Sequence, residues 1–379
     1  MKSKNKNRIA IGLYFFFTGL CFSSWASRIP NIKDFFYFNE AELGNLLLVM
    51  PIASVIGLPI SGWVISRCNS RGPLMISFVL YSLSLIGVGF STQLWMLVIS
   101  LTGFSLSLRM INIAINTQAI TLQKEYKKKI NGAFHGFWSL GGIVGLLFAT
   151  LLIKLEVSIE IHLTLVAFTT VLCTSLFYAN LVENDKPRTG NKIILGKPDV
   201  FVLYLGLIVF FAAVCEGGIY DWNGVYFKEV IHTEIFTLGY LSFMICMTIS
   251  RFFSDRVIEG IGVEKTFLIS ALFIVLGIGT AIVFPVFWPA MIGFCITGFG
   301  IATIFPMAFS LSGESAKYSP GVLISIISTY GIVGMLLGPP LIGYLAYIFS
   351  LQASFIVFIF CGLLFIPLSK LLFKIQNKL

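Results

Sequence analysis

The sequence predicts an all-α membrane protein of 12 transmembrane helices arranged as two pseudo-symmetric six-helix bundles. Three observations lead there. Segments of about 20 mostly apolar residues recur between Ile9 and Phe373, the length a helix needs to cross the hydrocarbon of a bilayer. Local strings return at one constant offset of 189 residues: Ser66-Arg67 as Asp255-Arg256, and Gly142-Ile143-Val144-Gly145 as Gly331-Ile332-Val333-Gly334. Hydrophobic residues make up 57% of the chain and charged residues 11%, which is more apolar surface than a single water-soluble core of this size can hide.

The first half reads as spans at 9–27, 42–65, 73–90, 94–122, 131–153 and 162–182, a bundle over residues 1–182. The second reads as spans at 200–221, 236–258, 264–284, 287–312, 321–347 and 351–372, a bundle over 200–379. Between them, residues 183–199 mix charge with turn formers (Asp185, Lys186, Pro187, Arg188, Gly190) and read as a cytoplasmic linker. Short connections such as Ser91-Thr92-Gln93 force sequential helices to be antiparallel neighbours. Glycines inside the spans, among them Gly141, Gly142 and Gly145, let helix backbones approach closely where lipid gives no hydrophobic drive for association. Gly338-Pro339-Pro340 is expected to break the helical ladder of span 11, leaving carbonyls for neighbours to satisfy.

The formal charge of +9 is placed by topology, not by a nucleic-acid surface. With a cytoplasmic N-terminus, inner segments collect 21 Lys and Arg residues, from Lys2, Lys4, Lys6 and Arg8 through Arg67, Arg71, Lys124 and Arg251 to Lys374 and Lys378. Outer segments hold four, Arg28, Lys33, Lys154 and Lys228, and Arg109 lies within a span. The positive-inside rule then puts both termini in the cytoplasm; the expected location is a bacterial inner membrane. The start, Lys2 to Arg8 followed by an apolar run, has the form of a signal peptide, but the first span has a counterpart in the second half and is expected to be kept. Seven cysteines stand singly, with no metal or disulfide spacing. No dinucleotide or phosphate-binding loop and no Ser-His-Asp signature stands out, so the reading is non-enzymatic, without cofactor or metal.

Span 4 carries Ser105, Arg109, Asn112 and Asn116 at spacings of four, three and four residues, which puts them on one narrow helical face. A cation at mid-span costs about 2.5–3.5 kcal/mol on insertion scales, so the stripe must face a wet cavity or a partner. It is a candidate solute-binding face or an internal polar contact between helices. Span 1 offers Tyr14, Thr18, Trp25 and Arg28 at near-helical spacing as a facing wall, and Trp138 could stack on a sugar-like ring. His135, about one turn inside span 5, is expected at the depth of Asn116, where it bridges helices or relays a proton. Glu216, in the outer part of span 7 among Cys215, Gly217 and Gly218, is the coupling candidate. A carboxylate that takes a proton in one state and releases it in another links transport to a proton gradient. The alternative for Glu216 is a static salt bridge, with Arg28 or Arg109 as partner.

Gly62-Trp63-Val64-Ile65-Ser66-Arg67-Cys68-Asn69-Ser70-Arg71-Gly72 resembles the G-x-x-x-D-R-x-G-R-[RK] loop of the major facilitator superfamily, with Ser66 in place of the aspartate and Asn69 in place of a glycine. The second copy, Arg251 to Arg256, keeps Asp255-Arg256. The resemblance implies the major facilitator fold and a gating clamp at Arg67, Arg71, Asp255 and Arg256. Ser24-Trp25-Ala26-Ser27-Arg28-Ile29-Pro30, the string from Phe134 to Gly142, and Glu216-Gly217-Gly218 with Asp221-Trp222 are similar to the MosC/YbjJ-like branch, over most of the chain. Relatives in that branch tend to carry Asp where this chain has Asn112.

The branch implies a small polar solute such as a sugar, polyol or inositol-like molecule; with Glu216 as coupling group, the first reading is a proton-coupled secondary transporter, a monomer working by alternating access. Two other readings remain open from the residues. One is an efflux antiporter for amphipathic compounds, although span 5 has Gly141, Gly142 and Gly145 without the proline of the drug-antiporter pattern. The other is a receptor or scaffold that keeps the fold without transport, against which stands the expense of holding Arg109, His135 and Glu216 in a membrane.

Overall fold

The computed structural model describes residues 2–126, 130–183, 200–311 and 320–376. Every regular element among them is helical, as expected where lipid leaves backbone polar groups nothing else to bond. The chain divides into two compact units, one of residues 1–36 with 49–192, the other of 37–48 with 193–379.

The first unit is built from α1 (Lys2–Ala26), α2 (Ile29–Phe35), most of α3 (Glu40–Arg67), α4 (Arg71–Gly89), α5 (Leu94–Gln123), α6 (Asn131–Lys154) and α7 (Ile159–Phe177). α1 packs along α6 and touches α7 and α5, while α4 lies between α5 and α7. The second contains α8 (Val200–Glu229), α9 (Thr237–Ile261), α10 (Val263–Val283), α11 (Phe287–Ala302), α12 (Ile304–Leu311), α13 (Pro320–Ile348), α14 (Leu351–Ser354) and α15 (Ile356–Gln376). Here α8 packs along α13 and α15, and α10 lies between α11 and α15. The pairings α1 with α6, α4 with α5 and α4 with α7 thus recur as α8 with α13, α10 with α11 and α10 with α15.

The repeated Gly-Ile-Val-Gly string makes the same contact in both units. A methyl group at Gly145 would stand 2.7 Å from the Leu20 carbonyl oxygen of α1, and one at Gly334 would run into the Phe210 carbonyl of α8. Both helix pairs close to backbone distance because neither position has a side chain. Aromatic side chains fill the rest: Tyr81 stacks on Phe104 at 4.2 Å between ring centres, and Tyr226 on Phe355 at 4.6 Å. Large apolar residues such as Phe168, Phe252 and Trp288 are exposed, which suits a lipid-facing surface.

Among the described residues, 11 helices are long and apolar enough to cross a membrane, and Thr237–Phe253 is a shorter apolar helix where the eighth span is expected. Two expectations need correction. The helix of span 7 does not stop at 221 but continues to Glu229, because Asp221-Trp222-Asn223-Gly224 is not a turn: Trp222 is fully buried and its Nε1–H donates to the Pro339 carbonyl at 2.9 Å. Nor do Pro339 and Pro340 break span 11, since α13 runs through both to Ile348. The linker of 183–199 lies outside the described residues beyond Glu183.

Candidate functional site

Extending α8 to Glu229 moves Glu216 from the end of a span to near the middle of a 30-residue helix. Its side chain is buried, and its Oε1 accepts the Tyr220 hydroxyl at 2.6 Å and Arg251 Nη2 at 3.0 Å. Tyr220 lies one helical turn beyond Glu216, so both project from one face of α8. Arg251 comes from α9, the antiparallel neighbour. Counted by sequence among the inner basic residues, it lies within the helix of span 8, where its charge pairs with Glu216. It is also this arginine, and neither Arg28 nor Arg109, that supplies the cation for Glu216. Asn223, almost two turns further along α8, is fully buried, with neither amide atom hydrogen-bonded among the described residues.

In the first unit, the stripe on α5 meets the middle of α3. Ser105 donates to the Met50 carbonyl, and Arg109 donates through Nε to Ser54 Oγ at 2.7 Å and through Nη2 to the same oxygen. Gly57 leaves room for this approach, with the Arg109 methylenes 3.5 Å from where its Cβ would stand. Arg109 is half-buried near the middle of α5, and the groups holding it are neutral. Asn112 and Asn116 are also half-buried, and Asn116 Nδ2 donates to the Asn112 carbonyl at 2.7 Å.

The other predicted site residues are placed differently. Tyr14 is fully buried and spends its hydroxyl on the Thr174 carbonyl at 2.7 Å, edge-on to Phe78. Thr18 is buried and donates back to the Tyr14 carbonyl at 2.8 Å. The Tyr14 bond ties α1 to α7, while the Thr18 bond stays within α1. Trp25 is buried too, its Nε1 without a partner among the described residues. Trp138 is half-buried beside Phe22, ring centres 6.3 Å apart. His135 is exposed and edge-on to Phe15 at 5.3 Å, while the Asn116 amide that was expected to reach it bonds within its own helix.

Of the gating residues, Arg67 is exposed with its guanidinium 4.7 Å over the Trp63 ring. Arg71 donates to the Tyr178 carbonyl at 3.1 Å, stacks over that ring at 4.3 Å and pairs with Glu183. Beside it Gln118 of α5, fully buried, bonds Ser70 Oγ at 2.7 Å and both backbone groups of Val182, at 2.7 and 3.0 Å. This tie between the start of α4, α5 and the exit from α7 was missed in the sequence, where one glutamine in an apolar helix has no periodic signal. Arg256 is exposed, and the Asp255 side chain lies outside the described residues.

An uncharacterised MFS-type transporter of Yersinia pestis is 29% identical over 354 residues, covering 92% of this chain and 91% of that protein. The membrane protein MosC of Rhizobium meliloti is 28% identical over 360 residues, 94% of this chain and 87% of that one. Among solved structures, a bacterial homologue of the human lysosomal transporter Spinster aligns with a TM-score of 0.76 at 14% identity, covering 99% and 98% of the two chains. The nucleoside transporter NupG aligns with a TM-score of 0.73 at 15% identity over 100% of both. At such identities these structures show a shared fold. The family model of the Major Facilitator Superfamily matches residues 11–317 and 225–378. With this match over nearly the whole length, the chain belongs to the Major Facilitator Superfamily.

Proposed function

We propose that this protein is a secondary active transporter that carries a small polar solute of the sugar, polyol or inositol-like class across the inner membrane by alternating access, with protons coupled through Glu216. The observation that carries the reading is the buried Glu216 carboxylate, paired with the half-buried Arg251 and bonded by Tyr220, held mid-helix in a membrane unit. Ionisable groups are expensive to keep there and are functional by default. A proton taken up by Glu216 makes it a neutral acid and removes the counter-charge of Arg251. That guanidinium then has N–H donors to give to a solute hydroxyl or carbonyl. Loss of the proton restores the pair and returns the donors. Tyr220, bonded to the same carboxylate oxygen, is placed to pass the proton. In the first unit, Arg109, Asn112 and Asn116 offer a row of donors and acceptors suited to several hydroxyls, with Trp138 as a flat apolar surface.

The basic residues that gather in alternate connections support cytoplasmic termini. The test is proton movement in liposomes holding the purified protein around a pH dye, challenged with polyols, amino sugars, monosaccharides and cationic dyes. Acidification by one compound, absent in Glu216→Gln, supports symport of that solute. Alkalinisation would replace the reading with efflux by exchange. Silence across the panel from folded protein would count against transport of these classes.

A further inference from the structure

At the end of the first unit away from the N-terminus, α2, the α4–α5 turn and the α6–α7 turn enclose a cavity of about 440 Å³. That is within the range of small-molecule sites. It lies where the spans ending at Phe35, Gly89 and Lys154 meet those beginning at Leu94 and Ile159, the level of the membrane–water boundary. Gly89 permits the closure: a Cβ there would stand 3.1 Å from Glu160 Cα.

Arg28 lines this cavity and is only 4% exposed. Its Nε–H donates to His162 Nδ1 at 3.0 Å and one Nη2–H donates to the Val157 carbonyl at 2.8 Å. Both acceptors are neutral, the imidazole because its Nδ1 lone pair takes the bond. Among the described residues no carboxylate is within ion-pair distance of Arg28, and Glu160 acts on it only through space. Two of five guanidinium N–H groups are used, leaving three. A buried cation whose hydrogen bonds go to neutral groups is an incomplete arrangement, and an anion completes it. The opposite need stands beside it. Asn31 lines the same cavity, its Oδ1 buried without a hydrogen-bond partner among the described residues, and Glu156 and Glu160 add carboxylates to the lining. The cavity therefore presents spare donors on a cation and bare acceptors within one small volume.

We propose that this cavity binds a small zwitterion, a carboxylate or phosphate joined by a short chain to a primary ammonium, with the anion on Arg28 and the ammonium on Asn31, Glu156 and Glu160. The same chemistry is offered by free amino acids and by the phosphoethanolamine headgroup of a lipid, and the boundary position admits both. The site is independent of Glu216.

The test uses delipidated full-length protein in detergent, titrated calorimetrically with γ-aminobutyrate and O-phosphoethanolamine and with the single-charge analogues butyrate and propylamine. Native mass spectrometry compares retention of phosphatidylethanolamine and phosphatidylglycerol. A zwitterion is expected to bind at least about tenfold more tightly than either analogue, the worth of one charge-assisted hydrogen bond. Arg28→Gln should abolish that binding. Since this change is buried, two rim variants accompany it. Glu160→Gln should weaken the ammonium-bearing probes and leave butyrate unchanged, and Thr92→Trp should block the mouth without touching the arginine. Selective retention of phosphatidylethanolamine, lost in Thr92→Trp, with no response to free probes, would identify the lipid as the source. Equal binding of zwitterions and analogues, zwitterion binding that survives both Arg28→Gln and Thr92→Trp, or no binding of any free probe or lipid would overturn the proposal.

Discussion

Arg109 and Arg251 stand at similar positions in their helices, and the two units treat them in opposite ways. In the second unit the arginine is matched by a buried carboxylate that also takes a tyrosine hydroxyl. In the first, a single serine hydroxyl accepts two guanidinium N–H groups. One cation is matched by a carboxylate; the other is held by a neutral hydroxyl alone. Under the proposed transport scheme, this difference gives the two halves of a duplicated scaffold separate work: a charge pair that responds to protons in one, an arginine without a carboxylate partner in the other.

The strongest test of that contrast is functional. Glu216→Gln should abolish accumulation of solute driven by a pH gradient while leaving solute exchange across equal pH, measured as counterflow in proteoliposomes; counterflow and accumulation lost in proportion would break it. Next is stability. Arg251→Met leaves a buried carboxylate unpaired and should cost about 3–5 kcal/mol, whereas Glu216→Gln with Arg251→Met should recover most of it. Thermal unfolding of both variants decides, and an equally unstable double variant would mean that packing, not charge, holds the pair. Tyr220→Phe removes one hydrogen bond to a charged group and should cost about 1.5–3 kcal/mol, read the same way. Ser54→Ala removes the hydroxyl from Arg109, which is only half-buried, and should cost no more than about 1.5 kcal/mol. A loss as large as that of Arg251→Met would erase the distinction between the units.

Most of the fold could be read from the chain because span length and hydropathy are dictated by the bilayer, and because the 189-residue repeat marks equivalent helices. Arg109 and Glu216 were visible as charges in apolar runs. Their partners were not. Charge counting puts Arg251 with Arg256 among the inner basic residues, although the predicted span 236–258 contains both, and nothing in the sequence shows that Arg251 turns toward Glu216 of α8. The polar groups of Tyr14 and Thr18 suggested a solute wall, yet hydroxyls in a membrane helix are as readily consumed by neighbouring carbonyls, and both are. Gln118 gave no signal, since its role depends on Val182, 64 residues away. Helix contacts between distant segments are set by three-dimensional packing that hydropathy does not encode.

The backbone contacts at Gly145 and Gly334 have a consequence for genetics. Lipid-facing positions such as Phe168 accept many apolar residues, but at these two glycines a single methyl group collides with a carbonyl oxygen. Random mutagenesis screened for loss of transport will therefore collect substitutions at small helix-contact residues that never touch solute. Only a parallel count of protein in the membrane will separate those alleles from lesions in the transport cycle itself.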